Sequence, residues 1–274
     1  MRPALERGRV RLERAGIEDP LREAEILLAA ACGVARLSLH IDPGTPDAAA
    51  LARYEGFLAR RERREPAAYV LGRAEFFSRE FLVTPAVLVP RPETEHLVEA
   101  ALALLPPDRP ARVVDVGTGS GCIAVSVAAE RPLVRVLAVD RSAAALVVAR
   151  ENGRRHGVLD RVTVLRGDFL EPVRGTVDLV VSNPPYVGTS DEVAPECIHE
   201  PREALFAGAD GLDAYRRIAP AAARVLRTGG TLLLETPGAQ IREIGEICRA
   251  AGLVPGEPIP DLAGRPRVLP AVRG

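Results

Sequence analysis

From Arg112 onward the chain alternates short apolar runs with stretches of helical periodicity, and few folds accommodate that alternation. The runs are Val113–Val116, Val134–Val139, Val162–Leu165, Leu179–Ser182 and Thr231–Glu235. The helical patterns lie near 121–130, 142–155, 212–227 and 239–251. This βαβα order predicts a mostly parallel sheet with helices covering both faces. Ligands of such sheets bind outside the carboxyl ends of the strands, so chemistry is expected in the segments that follow the runs.

The first part of the chain reads differently. Asp19-Pro20 is a helix start, a capping side chain followed by proline at the first helical position. Leu21, Ala24, Leu28 and Ala31 then mark one face as far as Gly33. Thr45-Pro46 repeats the signal, with Leu51, Tyr54 and Leu58 at helical spacing and a stop before Pro66. Residues 74–89, AEFFSREFLVTPAVLV, are short apolar and aromatic runs broken by Ser78-Arg79 and Thr84-Pro85, which predicts a hairpin. The expected organisation is a helical domain over 1–73, a β-hairpin linker over 74–89, and a Rossmann-like α/β domain over 90–274.

Composition narrows the function classes. The 274 residues are 47% apolar and 27% charged, an ordinary globular balance. Thirty-six basic against 37 acidic side chains leave a net charge of −1, which argues against affinity drawn from a long phosphate backbone. Every basic residue is arginine, so a lysine Schiff base and a P-loop lysine are excluded. Cys32, Cys122, Cys197 and Cys248 form no C-x-x-C pair. His40, His96, His156 and His199 are scattered, so no metal site is expected. Residues 1–17 lack the apolar core of a signal peptide, and the longest apolar stretch, Ile26–Ala35, is about half the ~20 residues of a membrane span. A cytoplasmic protein is expected. Arg60-Arg61-Glu62-Arg63-Arg64 reads as a solvated helix end, and Glu93, His96 and Glu99 as a solvated helix face.

Three strand ends suggest a nucleoside site. After the first run comes Asp115-Val116-Gly117-Thr118-Gly119-Ser120-Gly121, a turn whose glycines let the backbone approach a ligand at a helix N-terminus. A dinucleotide fingerprint would want Gly or Ala at 122, where Cys122 stands. Spacing G-x-G-x-G after an acidic residue is more typical of S-adenosylmethionine-dependent methyltransferases. Asp140 ends the second run and can accept hydrogen bonds from both ribose hydroxyls of an adenosine, while Ser142 caps the next helix. After the third run, Asp168-Phe169 offers a carboxylate for an adenine amino group and a ring for its face.

The fourth run is followed by Asn183-Pro184-Pro185-Tyr186. Methylating an amide or exocyclic amino nitrogen is difficult because its lone pair is delocalised. Two fixed acceptors for its N–H protons direct that lone pair toward a methyl donor. The Asn183 side-chain oxygen and the Pro184 carbonyl are two such acceptors, and the prolines hold that carbonyl rigidly. Tyr186 offers an aromatic face to the planar target.

These motifs resemble the bacterial release-factor glutamine methyltransferases, the HemK/PrmC family. The likeness extends over nearly the whole chain. REPAAYVLGRAEF at 64–76 and LVPRPETEHLVE at 88–99 are similar to family segments, as are Val113–Gly121, Ser182–Tyr186, Glu200-Pro201, Ala204-Leu205 and Gly211-Leu212. The resemblance implies a class I S-adenosylmethionine-dependent methyltransferase domain preceded by a small helical domain that docks a release factor. It implies methyl transfer to the amide nitrogen of the glutamine in the Gly-Gly-Gln loop of peptide chain release factors, yielding S-adenosylhomocysteine. Gly117 to Gly121, Asp140, Asp168, Phe169 and Asn183 would then line the cofactor site, and Asn183 to Tyr186 would hold the glutamine. A monomer without metal, membrane or direct nucleic-acid contact is expected.

An alternative is a DNA adenine-N6 or rRNA base amino methyltransferase. Base amino groups pose the same chemical problem, but the neutral charge and the absence of a target-recognition insertion disfavour it. The chain also departs from the family pattern. Glu235-Thr236-Pro237-Gly238 follows the fifth run, and Pro266 and Pro270 predict a short or frayed final strand.

Overall fold

The computed structural model describes residues 1–41 and 44–274, which divide into two compact units. The first comprises Met1–Arg73 and, from far along the chain, Val193–His199; the second comprises Ala74–Glu192 and Glu200–Gly274.

The first unit contains α1 (Arg2–Arg14), α2 (Pro20–Cys32), α3 (Ser38–Ile41), α4 (Ala48–Arg61) and α5 (Ala67–Leu71). Asp19 caps α2 through the Arg22 amide, and Gly33 ends it in the left-handed conformation. α4 starts later than Thr45-Pro46 suggested. Asp47 accepts from the Ala50 amide at 2.6 Å, so that carboxylate is the cap. Leu12, Leu27, Leu28, Tyr54 and Leu58 are fully buried in the core of this unit.

The arginine run is not a solvated helix end. Arg61 is 4% exposed and pairs with Glu23 and Glu196, while Arg64 also bonds Glu196 at 2.8 Å. Arg60 pairs with Glu65 and donates to the Tyr69 and Val70 carbonyls. The planar guanidinium satisfies several acceptors at once, which permits burial that a solvated reading overlooks. These bonds, with one between the His199 ring and the Arg63 carbonyl, fasten Val193–His199 to the helices.

The second unit opens with a tight hairpin, β1 (Arg73–Phe76) and β2 (Arg79–Leu82). Its turn, Phe77-Ser78, has φ of 50° and 57° at both positions. The hairpin is shorter than residues 74–89, because beyond Leu82 the chain becomes an irregular strap. Phe76 and Phe81 are buried in the core beneath the large sheet, so the hairpin packs as part of this unit.

After a 3-10 turn at Pro92–Thr94 come α6 (Glu95–Leu104), β3 (Ala111–Val116), α7 (Cys122–Glu130), β4 (Val134–Asp140), α8 (Ala143–Arg155), β5 (Val162–Arg166) and β6 (Val177–Ser182). They continue into α9 (Asp213–Val225), β7 (Leu226–Glu235), α10 (Ile241–Ala250), β8 (Leu253–Pro255), β9 (Ile259–Pro260) and β10 (Pro266–Arg273). Among the described residues the sheet runs β5-β4-β3-β6-β7-β10-β8, with β9 beside β10. The neighbours from β5 to β7 are parallel. From β3 the chain winds outward to β5, then returns to place β6 on the other side of β3. Ligands bind at such reversals. Separate apolar cores cover the two faces.

The final strand corrects an expectation. β10 is long and lies inside the sheet, antiparallel to β7 and β8. Pro266 stands at its first residue, where no ladder donor is needed. The Pro270 carbonyl accepts from Gly256 at 2.9 Å. A residue's N–H and C=O point to one side of a strand, so the missing donor falls there and costs the β7 pairing nothing.

Candidate active site

The turn after β3 is built around two carboxylates. Gly117 and Gly119 have φ of 72° and 54°, which side chains disfavour, and both the Gly117 and Thr118 amides donate to the Val139 carbonyl. Asp115 is wholly buried below the turn, where one carboxylate oxygen accepts from the Thr118 hydroxyl at 2.6 Å and the Ala124 amide at 3.1 Å. Its other oxygen has no partner, and burial pushes the carboxyl up to about 7. Asp140, at the end of β4, accepts from Gly119 N with one oxygen and Ser142 N with the other, both at 2.9 Å. Ser142 caps α8 through Ala145 N. Asp140 therefore shapes the glycine turn and the start of α8 together.

These elements wall a cavity of about 300 Å³ at the carboxyl ends of β3 to β6. Of the expected residues, Gly117, Gly119, Asp140, Asp168, Phe169, Asn183 and Pro185 line it. Thr118, Ser120, Gly121, Pro184 and Tyr186 are not on its wall. The Thr118 hydroxyl is committed to Asp115, the Ser120 carbonyl accepts from Asn152, and Gly121 begins α7 packed against Ala149. Those three support the turn from behind.

The wall also includes residues the sequence reading did not single out. Ala86, Val87 and Leu88 contribute from the strap, Phe206 and Ala207 from the segment before α9, and Arg217 from α9 itself. Arg217 pairs with Asp168, and its guanidinium lies 4.4 Å from the centroid of the Phe169 ring. The carboxylate and ring expected to meet an adenine are thus held by a cation. Nothing in the spacing separates Arg217 from Arg216, which pairs instead with Asp210 and Asp213.

The Asn183–Tyr186 segment is anchored on both sides. The Ser182 hydroxyl donates to the Val116 carbonyl at 2.8 Å, joining the ends of β6 and β3. Asn183 donates through Nδ2 to the Thr94 hydroxyl at 3.0 Å, which leaves its Oδ1 available as an acceptor. Val187 exchanges backbone bonds with Leu205 and Ala207, and a Cβ at Gly211 would stand 2.2 Å from the Tyr186 carbonyl. That close approach explains why glycine occurs there. Tyr186 packs against the core shared with α9, and burial beside the Glu235 charge raises its phenol. Glu200, also buried, accepts from Val89 N and Arg91, fixing the strap.

Two stretches match family models: residues 3–72 the PrmC N-terminal domain, and residues 95–210 the methyltransferase small domain. A release factor glutamine methyltransferase of Cereibacter sphaeroides is 47% identical over 267 residues, covering 95% of this chain and 94% of its own. One from Moorella thermoacetica is 45% identical, covering 100% and 98%. The chain belongs to the release factor glutamine methyltransferase family. It is an enzyme with the class I methyltransferase fold that the family resemblance implied. Solved structures share that fold. A methyltransferase from Pyrococcus furiosus superposes with a TM-score of 0.56 at 19% identity, covering 73% of this chain and 91% of its own. The T. thermophilus 16S rRNA N2 G1207 methyltransferase does so with a TM-score of 0.53 at 21% identity, covering 74% and 50%. In this family member, no helix among the described residues is long and apolar enough to cross a membrane. Among the described residues, no group of three or more His, Cys, Asp or Glu side chains stands ready to hold a metal.

Proposed function

We infer that this enzyme transfers the methyl group of S-adenosylmethionine to the side-chain amide nitrogen of the glutamine in the Gly-Gly-Gln segment of peptide chain release factors. Relatives of that name matching almost end to end support the reaction class. The observation that carries the chemistry is the state of Asn183. It stands on the cavity wall with its amide nitrogen already engaged and its oxygen left to accept.

The cavity fits an adenosine-bearing donor. A Cβ at Gly117 would meet nothing within 4 Å, so the backbone is open to close approach. Asp140 has lone pairs beyond those used by Gly119 and Ser142, for ribose hydroxyls. When bound, the donor supplies an electrophilic sulfonium methyl. Asn183 Oδ1 and the Pro184 carbonyl receive the two N–H groups of the target amide and aim its lone pair. Transfer would break the donor's carbon–sulfur bond as the nitrogen–carbon bond forms, and the methylated nitrogen would shed its proton to solvent without a strong base. The helical part of the first unit, residues 1–73, serves to recognise the release factor.

The test is a methylation assay with radiolabelled S-adenosylmethionine and either an intact release factor, DNA or RNA as acceptor. Label on the release-factor glutamine supports the reading. Label on nucleic acid alone overturns it.

A further inference from the structure

Adenine and hypoxanthine differ along one edge of the ring. Adenine presents an amino donor at C6 and an acceptor at N1, whereas hypoxanthine presents an oxygen at C6 and a donor at N1. A carboxylate can accept from either base, provided that it can pivot from the amino group of one to the N1–H of the other. Selectivity therefore depends on what holds the carboxylate and not on its presence alone.

Asp168 is held by Arg217. The backbone of Asp168 is set by the turn after β5, where Gly167 N donates to the Asp140 carbonyl at 3.0 Å and Glu171 N to the Asp168 carbonyl at 3.2 Å. The terminal torsion of an aspartate side chain is broad, so those bonds leave the carboxylate free to turn. Arg217 Nη2 donates to its Oδ2, and among the described residues the carboxylate takes no other hydrogen bond. Oδ1 is left to accept from a ligand.

Arg217 is fixed in its turn. It stands on α9 beside the buried Ala214 and Ile218, and its guanidinium carbon lies 4.4 Å from the centroid of the Phe169 ring. That ring packs against the core shared with α9. Phe169 has φ of 49°, a left-handed conformation that a bulky residue keeps only where its surroundings enforce it. A guanidinium suits both contacts, since it can pair with a carboxylate while lying over a ring. Asp168, Phe169 and Arg217 all line the cavity. With side chains 38% and 51% exposed, the Asp168–Arg217 pair adds little to stability on its own, so its consequence is for what the cavity binds.

We propose that Arg217 is a positioning residue that determines specificity: joining Asp168 to the Phe169 ring, it fixes one carboxylate oxygen for the 6-amino group of the donor's adenine and so selects adenosine over its 6-oxo analogue. The proposal rests on the function inferred above, with the adenosine of S-adenosylmethionine in this cavity. Pinned through Oδ2, the carboxylate cannot follow the donor from the amino group to N1–H. The C6 oxygen of hypoxanthine then opposes Oδ1, acceptor to acceptor.

The experiment titrates S-adenosylhomocysteine and its 6-oxo analogue, S-inosylhomocysteine, into the full-length wild type, Arg217→Met, Asp168→Asn and the double variant, with thermal melts alongside. The wild type should bind the adenosyl form about tenfold or more tightly than the inosyl form, one hydrogen bond to a charged group being at stake. Arg217→Met keeps a chain of similar reach without the cation. It should melt close to wild type and bring the two affinities to within about threefold of each other. Asp168→Asn can turn either end of its amide to the base and should lose the preference as well. Because Arg217 acts through Asp168, adding Arg217→Met to Asp168→Asn should change the ratio little further. A preference retained in Arg217→Met overturns the proposal, and so does an equal loss of affinity for both ligands, which lost packing alone would produce. A wild type without preference overturns it too. A wild type that binds neither ligand and methylates no release factor refutes the proposed function, whereas one that does both with an indifferent Arg217 refutes this proposal alone.

Discussion

Asp140 is expected to hold the cofactor turn and the cofactor together, and replacing it separates the two effects. The carboxylate takes Gly119 N and Ser142 N at 2.9 Å each. Hydrogen bonds to a charged group are worth ~1.5–3 kcal/mol apiece, a gross ~3–6 kcal/mol. Asp140 is only half-buried, so water recovers much of that in the variant, leaving a net loss of about 2 kcal/mol. For a unit of this size that lowers the melting temperature by roughly 4–8 °C. The ribose hydroxyls lose their acceptors too, and a deficit of ~2–4 kcal/mol weakens S-adenosylmethionine roughly 30- to 1,000-fold. Asp140→Asn should fall between wild type and Asp140→Ala, because its amide nitrogen must face one backbone N–H donor to donor. Calorimetric titration gives the affinity and a thermal melt gives the stability. Ser142→Ala is the control: it removes the α8 cap, costing ~1 kcal/mol of stability, and should leave affinity nearly intact. Wild-type affinity in Asp140→Ala refutes the ribose assignment, whatever the melt shows.

Other perturbations follow from single contacts. Asn183→Ala should lower turnover on the order of 100-fold while cofactor affinity changes little; unchanged turnover removes it from the acceptor role. Asp115, raised to about 7 by burial, binds a proton in the folded chain that the unfolded chain has released above about pH 4. Its stabilising effect is therefore complete below the unfolded value and lost as pH rises through about 7, so Asp115→Asn should melt progressively higher relative to wild type across that window. A constant difference would show that Asp115 does not titrate there. Glu196→Ala leaves the buried Arg61 with Glu23 as its carboxylate partner and should cost about 1–2 kcal/mol in urea unfolding, a smaller loss than for a fully unpaired buried charge. Phe81→Ala empties a fully buried ring site and should cost ~3–5 kcal/mol; an unaffected midpoint would contradict the place of the hairpin in the second core.

The parallel sheet was legible because each of its strands is a short apolar run ending where polar turn chemistry begins, and that texture is local. The long β10 was not. Pro266 and Pro270 argue against a strand when read one residue at a time, and only the pairing partner shows which side the missing donor faces. The hairpin boundary erred for a related reason. Residues 83–89 are as apolar as a strand, yet Val87 and Leu88 serve the cavity wall instead of a ladder. Pattern reports that a segment is buried, not what it is buried against.

The site divides along the same line. Gly117, Gly119, Asp140 and Asn183 announce themselves because backbone conformation or acceptor chemistry restricts which residues can stand there. Thr94 and Arg217 carry no such mark, since a threonine before a helix and an arginine on a helix both have ordinary uses. What distinguishes them is partnership at long range: Asn183 with Thr94, 89 positions apart, and Arg217 with Asp168, 49 apart. An amide side chain makes the point sharply. Its chemical usefulness depends on which end faces the substrate, and that is decided by neighbours, not by the asparagine. The motif supplies the amide; the buried Thr94 hydroxyl, by taking its Nδ2, leaves the oxygen as the end free to accept.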